Sequence, residues 1–282
     1  NKSNSNKSNS NKSNSNKSRN NINTNNKSNS TPSNSSSKSP MKIIIIILGI
    51  LLVIWMIHKI MNNFRNYAND SPMLIGGTQQ GDVSKLPIPA YKLPDPEDGQ
   101  YGTEFTYSVW LYIKDLNFAN NDNSCGGEGK FKHIFHKGSG DYLSYNGSVK
   151  YPLLQSPAVW LYPDVNKLAI NINTFASPRE SCDIGNIPVN KWFHLSIMLI
   201  GNSLDVYINC SLKKRCRLKG VPKLNYGDLY VSSWGGFDGF LSKLQYYNYA
   251  IQPYQIEDAC SKGPSSAECT DPGDKPPYLA DD

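Results

Sequence analysis

The chain has 282 residues, 18% of them charged, and a formal net charge of +6. That charge is uneven: residues 1–40 carry +7 and residues 41–65 carry +3, which leaves −4 for residues 66–282. The basic balance is thus a property of the tail and the membrane flank; lysines spread through asparagine and serine read as a solvated extension that could touch anionic lipid or nucleic acid only weakly, and no specific nucleic-acid partner is expected.

Residues 1–40 repeat Asn-Lys-Ser-Asn-Ser and contain no aromatic or acidic residue. Such a segment cannot bury enough apolar surface to offset the entropy of ordering and is expected to be disordered. An apolar run follows, Ile43 to Ile57. Fifteen helical residues span only ~22 Å, short of the ~30 Å hydrocarbon core of a bilayer. Lys42 and Lys59 extend the run because their ammonium groups snorkel toward headgroups, and Trp55 lies near one end, where an indole favours the interface. A transmembrane helix over 41–62 is predicted. Met41-Lys42 before an apolar run also resembles a signal peptide, but His58 to Asn62 offers no small-x-small cleavage site, which favours an uncleaved signal anchor. The chain starts at Asn1, so either the tail continues upstream or Met41 is an alternative start. The longer basic tail on the N-terminal side predicts N-terminus inside and C-terminal domain outside or lumenal.

Residues 63–100 hold Pro72, Pro87, Pro89, Pro94 and Pro96 and read as a stiff spacer. From 101 to 260 the hydrophobic period is two. Phe105, Tyr107, Val109, Leu111 and Ile113 alternate with Thr106, Ser108, Trp110 and Tyr112. Phe193, Leu195, Ile197 and Leu199 alternate with His194, Ser196 and Met198, and Phe240, Ser242, Leu244 and Tyr246 with Leu241, Lys243 and Gln245. Gly201-Asn202 reads as a hairpin turn. A short helix is predicted after Gln252, with Pro253 at its first position, and residues 261–282 as a flexible tail. The fold class is all-β, an antiparallel sandwich.

The order of these blocks resembles the laminin-G-like, concanavalin A-like jelly roll of the lectins and glucanases. The resemblance covers about 100–260. It is carried by Phe-Thr-Tyr-Ser-Val-Trp-Leu-Tyr (105–112), His-Ile-Phe-His-Lys-Gly (133–138), Asn-Lys-Trp-Phe-His-Leu-Ser-Ile (190–197), Leu-Asp-Val-Tyr-Ile-Asn (204–209) and the closing stretch 236–256. Cys210 stands where the family's hairpin has glycine. The resemblance implies a jelly-roll sandwich and, as one class of ligand, carbohydrate. An asparagine-rich tail ahead of a membrane-anchored domain also resembles proteins encoded by large DNA viruses, which implies a virion membrane as one setting.

The six cysteines, Cys125, Cys182, Cys210, Cys216, Cys260 and Cys269, all follow the apolar run. An even count on one side reads as disulfides in an oxidising compartment. A five-residue separation predicts Cys210–Cys216 across a hairpin, and elimination leaves Cys260–Cys269 and Cys125–Cys182.

Glycanases of this fold carry Glu-x-Asp-x-x-Glu on one strand; no such spacing occurs here, and Asp95, Glu97 and Asp98 read as a solvated turn. In a regular strand His133 and His136 point to opposite faces and share no metal with Cys125. His194, on the same face as Trp192, is expected to fill the sandwich. The oxygen-rich loop 115–128 offers Asp115, Asp122 and Glu128 as calcium ligands, which leaves calcium as the one cofactor in view. Lys213, Lys214, Arg215, Arg217 and Lys219 are placed at a hairpin tip, where they could grip an anionic glycan, other anionic polysaccharide or lipid. The reading is a non-enzymatic, single-pass membrane protein displaying a lectin-like domain that binds glycan or protein. The alternative is a structural envelope component whose sandwich packs against other proteins without binding sugar.

Overall fold

The computed structural model of the chain describes residues 40–116, 131–145 and 149–266. Helix α1 runs Pro40–Asp70. Its segment Met41–Asn63 is long and apolar enough to cross a membrane, and 23 residues rise about 35 Å. The helix runs eight residues past the boundary expected from the apolar run, because Asn62 to Asp70 contains no proline or glycine to stop it.

The strands are, in chain order, β1 Met73–Gln80, β2 Glu97–Gly99, β3 Gly102–Asp115, β4 Lys132–Gly138, β5 Tyr142–Tyr145, β6 Val149–Pro152 and β7 Gln155–Leu161. They continue with β8 Lys167–Ile172, β9 Glu180–Gly185, β10 Trp192–Ile200, β11 Ser203–Ile208, β12 Ser211–Arg217, β13 Asp228–Val231 and β14 Asp238–Tyr247; helix α2, Pro253–Ser261, follows. They build two antiparallel sheets. One has the order β1-β14-β3-β10-β11-β12 with β2 added beside β3; the other has the order β13-β4-β7-β8-β9. Strands β5 and β6 form a separate hairpin.

The predicted alternation on β3 and β10 sets the core. Phe105, Tyr107, Val109, Leu111, Ile113, Phe193, Leu195, Ile197 and Leu199 face the second sheet, where Phe135, Val159 and Ile170 meet them. The outer face of the first sheet is covered as well. Ile256 of α2 packs with Met198, Tyr247 and Ile251 on it, and α2 begins as predicted with Pro253 in its first turn and a capping box between Gln252 and Gln255.

Several expectations are corrected. The 63–100 segment is not a spacer throughout: β1 pairs with β14, Ile88 bridges Leu229, and Leu93 is buried in the core. Proline is absent from 73–80, so that stretch could add an edge strand despite its proline-rich surroundings. Glu97 and Asp98 lie in β2 rather than in a turn. At the other end, Ser265 accepts a bond from Thr78 and donates to Ser242, so the sandwich extends past 260. On β14 the alternation changes phase. Lys243 has φ 48° and the register shifts between Ser242 and Gln245; Leu241, Leu244 and Tyr246 therefore face the core while Phe240 packs outside on Tyr112 and Trp192.

The disulfides differ from those expected. Cys182 joins Cys216, and Cys210 joins Cys260. Cys210 sits in the two-residue turn Asn209-Cys210, where both residues take the left-handed conformation (φ 48° and 64°) that glycine usually supplies. Cys216 lies far along the same strand, opposite Leu204. Five residues lie between the two cysteines, and six steps of strand put their Cα atoms about 20 Å apart, too far for a bridge. Cys125 and Cys269 lie outside the described residues.

Candidate anion-binding groove

The basic run is not a hairpin tip. It is strand β12, the edge of the first sheet, and register divides its cations between two faces. Arg215 lies opposite Asp205 and Arg217 opposite Ser203, whereas Lys214 lies opposite the core residue Val206. Lys214 Nζ donates to the Asp183 carbonyl of the second sheet (2.8 Å), so it spans the open side of the sandwich. Lys213 is exposed beside the register shift. Lys219 lies beyond the strand, and its backbone N–H donates to Glu180. Exposed lysines on an edge strand also discourage pairing with another chain.

Arg215 and Arg217 line an open groove of about 630 Å³ with Tyr101, Ile200, Asn202, Ser203 and Asp205. The β2–β3 turn supplies Tyr101, and the predicted Gly201-Asn202 turn lies against it. Gly201 has φ 54° and lies so close to the Tyr101 carbonyl that a Cβ would fall 2.1 Å from it; no other residue would let the two turns meet. Asp205 is almost fully buried and receives both Nε and Nη2 of Arg215 at 2.6 and 2.5 Å. This fork holds the guanidinium plane fixed while most of it stays exposed. It also cancels one charge, so the positive field of the groove comes from Arg217, which has no ion-pair partner among the described residues. Tyr101 is 71% exposed, and its ring is available for stacking. The arrangement suits a carboxylate, sulfate or phosphate carried on a ring. Tyr101 and Asn202 carried no sequence signal as ligands; the turn glycine beside them was the one pointer.

His133 and His136 do not point apart. A register shift between His133 and Phe135 inserts an extra residue, so Ile134 and Phe135 both enter the core and the two histidines share the outer face. Ser233 N–H donates to His133 Nδ1 (2.9 Å), His133 Nε2 donates to His136 Nδ1 (2.8 Å), and His136 Nε2 donates to the Ser139 carbonyl (3.1 Å). Every ring nitrogen is used, which leaves no lone pair for a metal. Trp160, Trp234 and Tyr230 enclose the pair. Burial holds His133 well below the ordinary imidazole range, assisted by the neighbouring His136, and pushes His136 down to about 4.

His194 fills space on the outer face beneath α2 rather than between the sheets. Its Nε2 bonds Ser108 Oγ at 2.7 Å, its Nδ1 lies 3.2 Å from Cys260 Sγ, and Trp110 packs on its ring. Both Ser108 and His194 are buried, so this serine–histidine contact is closed to substrate. Of the calcium candidates, Asp115 ends β3 opposite Asp238; Asp122 and Glu128 lie outside the described residues. No group of three or more histidine, cysteine, aspartate or glutamate side chains that could hold a metal occurs among the described residues.

No protein-family model matches the chain, and no curated protein matches it. Among solved structures it is similar to botulinum neurotoxin binding domains. The serotype G binding domain is 14% identical, with a TM-score of 0.41 over 56% of this chain and 36% of that one. The serotype D ligand binding domain in complex with N-acetylneuraminic acid is 12% identical, with a TM-score of 0.44 over 70% of this chain and 52% of that one. The chain therefore spans about a third to a half of these neighbours. None of the groove residues is assigned through them.

Proposed function

We propose that the chain is a single-pass membrane protein whose sandwich binds an anionic glycan, without catalysing a reaction, in the groove of Tyr101, Arg215 and Arg217. The observation that carries this reading is the convergence of an exposed ring from the β2–β3 turn with two guanidinium groups of strand β12 more than a hundred residues away, one fixed by Asp205 and one without an ion-pair partner among the described residues. Rings stack on pyranose faces, and arginine forks match carboxylates and sulfates. The apolar segment Met41–Asn63 supports the anchor. Two disulfides in the sandwich support an oxidising compartment on its side of the membrane. Calcium has no part in this reading.

Retention of the full chain on heparin in neutral detergent tests it. Wild type should bind at low salt and elute steeply as salt rises. Arg217→Ser should lower the salt at which the chain elutes toward the value set by the basic tail, and leave the melting temperature within a degree or two, because an exposed cation contributes little to folding. Lys213→Ser should change little. An elution salt unchanged by Arg217→Ser would move the site elsewhere. A wild type that flows through would favour the structural reading, in which the sandwich packs against other envelope proteins.

A further inference from the structure

The end of the sandwich next to the groove has a second surface of different chemistry. Loop 173–179 carries Phe175, and loop 218–227 carries Val221, Leu224 and Tyr226. Their exposures are 75%, 59%, 46% and 76%, and Leu153 and Leu154 beside them are 44% and 38% exposed. A large aromatic and a valine this open at adjoining tips gain nothing from the fold, since each could be polar without loss of core.

The loops are held rigid. Phe175 N–H donates to the Val221 carbonyl and Lys223 N–H to the Asn173 carbonyl. Glu180 clamps the pair: it accepts from Thr174 Oγ1, Lys219 N–H and Gly220 N–H at 2.6, 2.7 and 2.9 Å. Burial pushes the Glu180 carboxyl up, but these bonds and the Lys219 charge bring it below its ordinary range. A Cβ on Gly220 would lie 2.6 Å from both the Ala176 nitrogen and the Thr174 hydroxyl, so the loops touch where only glycine fits. Lys137 is buried under loop 218–227 and donates to the Asn225 and Gly227 carbonyls. Two lysines flank the tips. Lys223 Nζ stands 5.0 Å over the Phe175 ring, and Lys219 follows Leu218, whereas Glu180 is spent inside the clamp.

We infer that this end inserts Phe175, Val221, Leu224 and Tyr226 into the headgroup–acyl boundary of a bilayer that carries anionic lipid. Apolar tips flanked by lysines match both components of such a surface: apolar area enters the boundary, and the lysines meet lipid phosphates. The preformed loops lose little freedom on docking. A protein partner would be served by apolar area alone, whereas the two lysines beside the apolar tips match charged headgroups. The inference does not depend on glycan binding in the groove.

The test uses the full chain in proteoliposomes whose lipids all carry brominated acyl chains, so that contact with any bilayer is detected. Phe175→Trp is the reporter, read as a difference from wild type. In phosphatidylcholine containing one fifth phosphatidylserine, the added tryptophan should emit to the blue and be strongly quenched. In pure phosphatidylcholine the quenching should fall, and Lys219→Ser with Lys223→Ser should reproduce that fall, each cation contributing roughly five-fold in affinity. Tyr226→Trp is a second reporter should the first disturb its loop. A reporter that emits like exposed indole and remains open to aqueous iodide in the anionic vesicles would overturn the inference. Equal quenching with and without phosphatidylserine would overturn its anionic part.

Discussion

Acidification to pH 5 should cost the sandwich about 4 kcal/mol of stability. His136 and His194 are buried, and burial lowers each to about 4 from an ordinary value near 6.5. Neither ring bonds a carboxylate; His136 faces His133, Tyr230 and Trp234, and His194 faces Ser108, Trp110 and the Cys260 sulfur. Because the folded values are depressed, the unfolded chain takes up protons first. Stability is therefore complete above about pH 6.5 and is lost as pH falls toward 4. Between pH 7.5 and 5 each histidine removes about 2 kcal/mol, before most carboxylates titrate. His133, held lower still, adds to the loss in the same direction. Against a total of roughly 5–15 kcal/mol, this is a large fraction. Urea unfolding of the full chain in neutral detergent, followed by near-ultraviolet circular dichroism, should show the midpoint drop by about 2 M at an m-value near 2 kcal/mol/M. His136→Gln should start less stable at pH 7.5, because the chain from Ser233 to Ser139 is broken, yet lose about 2 kcal/mol less on acidification. A midpoint that stays put between pH 7.5 and 5 in the wild type would refute the reasoning.

Peptide mapping without reduction should yield Cys182–Cys216 and Cys210–Cys260; recovery of a Cys210–Cys216 peptide would mean that β12 does not form the sheet edge. A sandwich expressed from residue 101 should aggregate, whereas one expressed from residue 66 should fold, since removal of β1 exposes the β14 edge and uncovers the core beneath Leu74 and Ile75. Equal solubility of the two, by gel filtration and circular dichroism, would return residues 73–80 to the status of a spacer.

The sequence made the strands legible wherever one face was apolar and the period held. Strands β3 and β10 follow their alternation without a break, and the turn at Gly201-Asn202 has the residues its geometry requires. Bulges escaped because a period-two reading assumes every residue advances the strand by one step. One extra residue on β4 brings His133 beside His136, and one at Lys243 turns Phe240 outward. Strand β1 escaped for a different reason: its proline-rich neighbours dominate the composition of 63–100, and an edge strand needs only eight residues between them. The groove was half legible. Its arginines stand out in the sequence, but Tyr101 lies over a hundred residues away and is brought there by turns. Asp205, which determines what Arg215 can do, is a single acidic residue between Leu204 and Val206 of β11.

The two disulfides among the described residues act where hydrogen bonds between strands run out. Strands β12 and β9 end their sheets on the same side, and a sandwich is least tied together there, since each edge has backbone groups without a neighbouring strand. Cys216 and Cys182 close that side, with Lys214 to the Asp183 carbonyl as a second tie. Cys210 and Cys260 fasten α2 to the β11–β12 turn, an attachment no sheet ladder provides. Both links therefore bear on β12, the strand that carries Arg215 and Arg217. An edge strand able to fray would hold its cations in no fixed geometry, whereas one fastened at its turn by Cys210 and near its far end by Cys216 holds them at fixed spacing. Reduction should accordingly weaken the heparin retention proposed for the groove before it changes the circular dichroism of the sandwich, because the core residues of β3 and β10 depend on neither sulfur bridge.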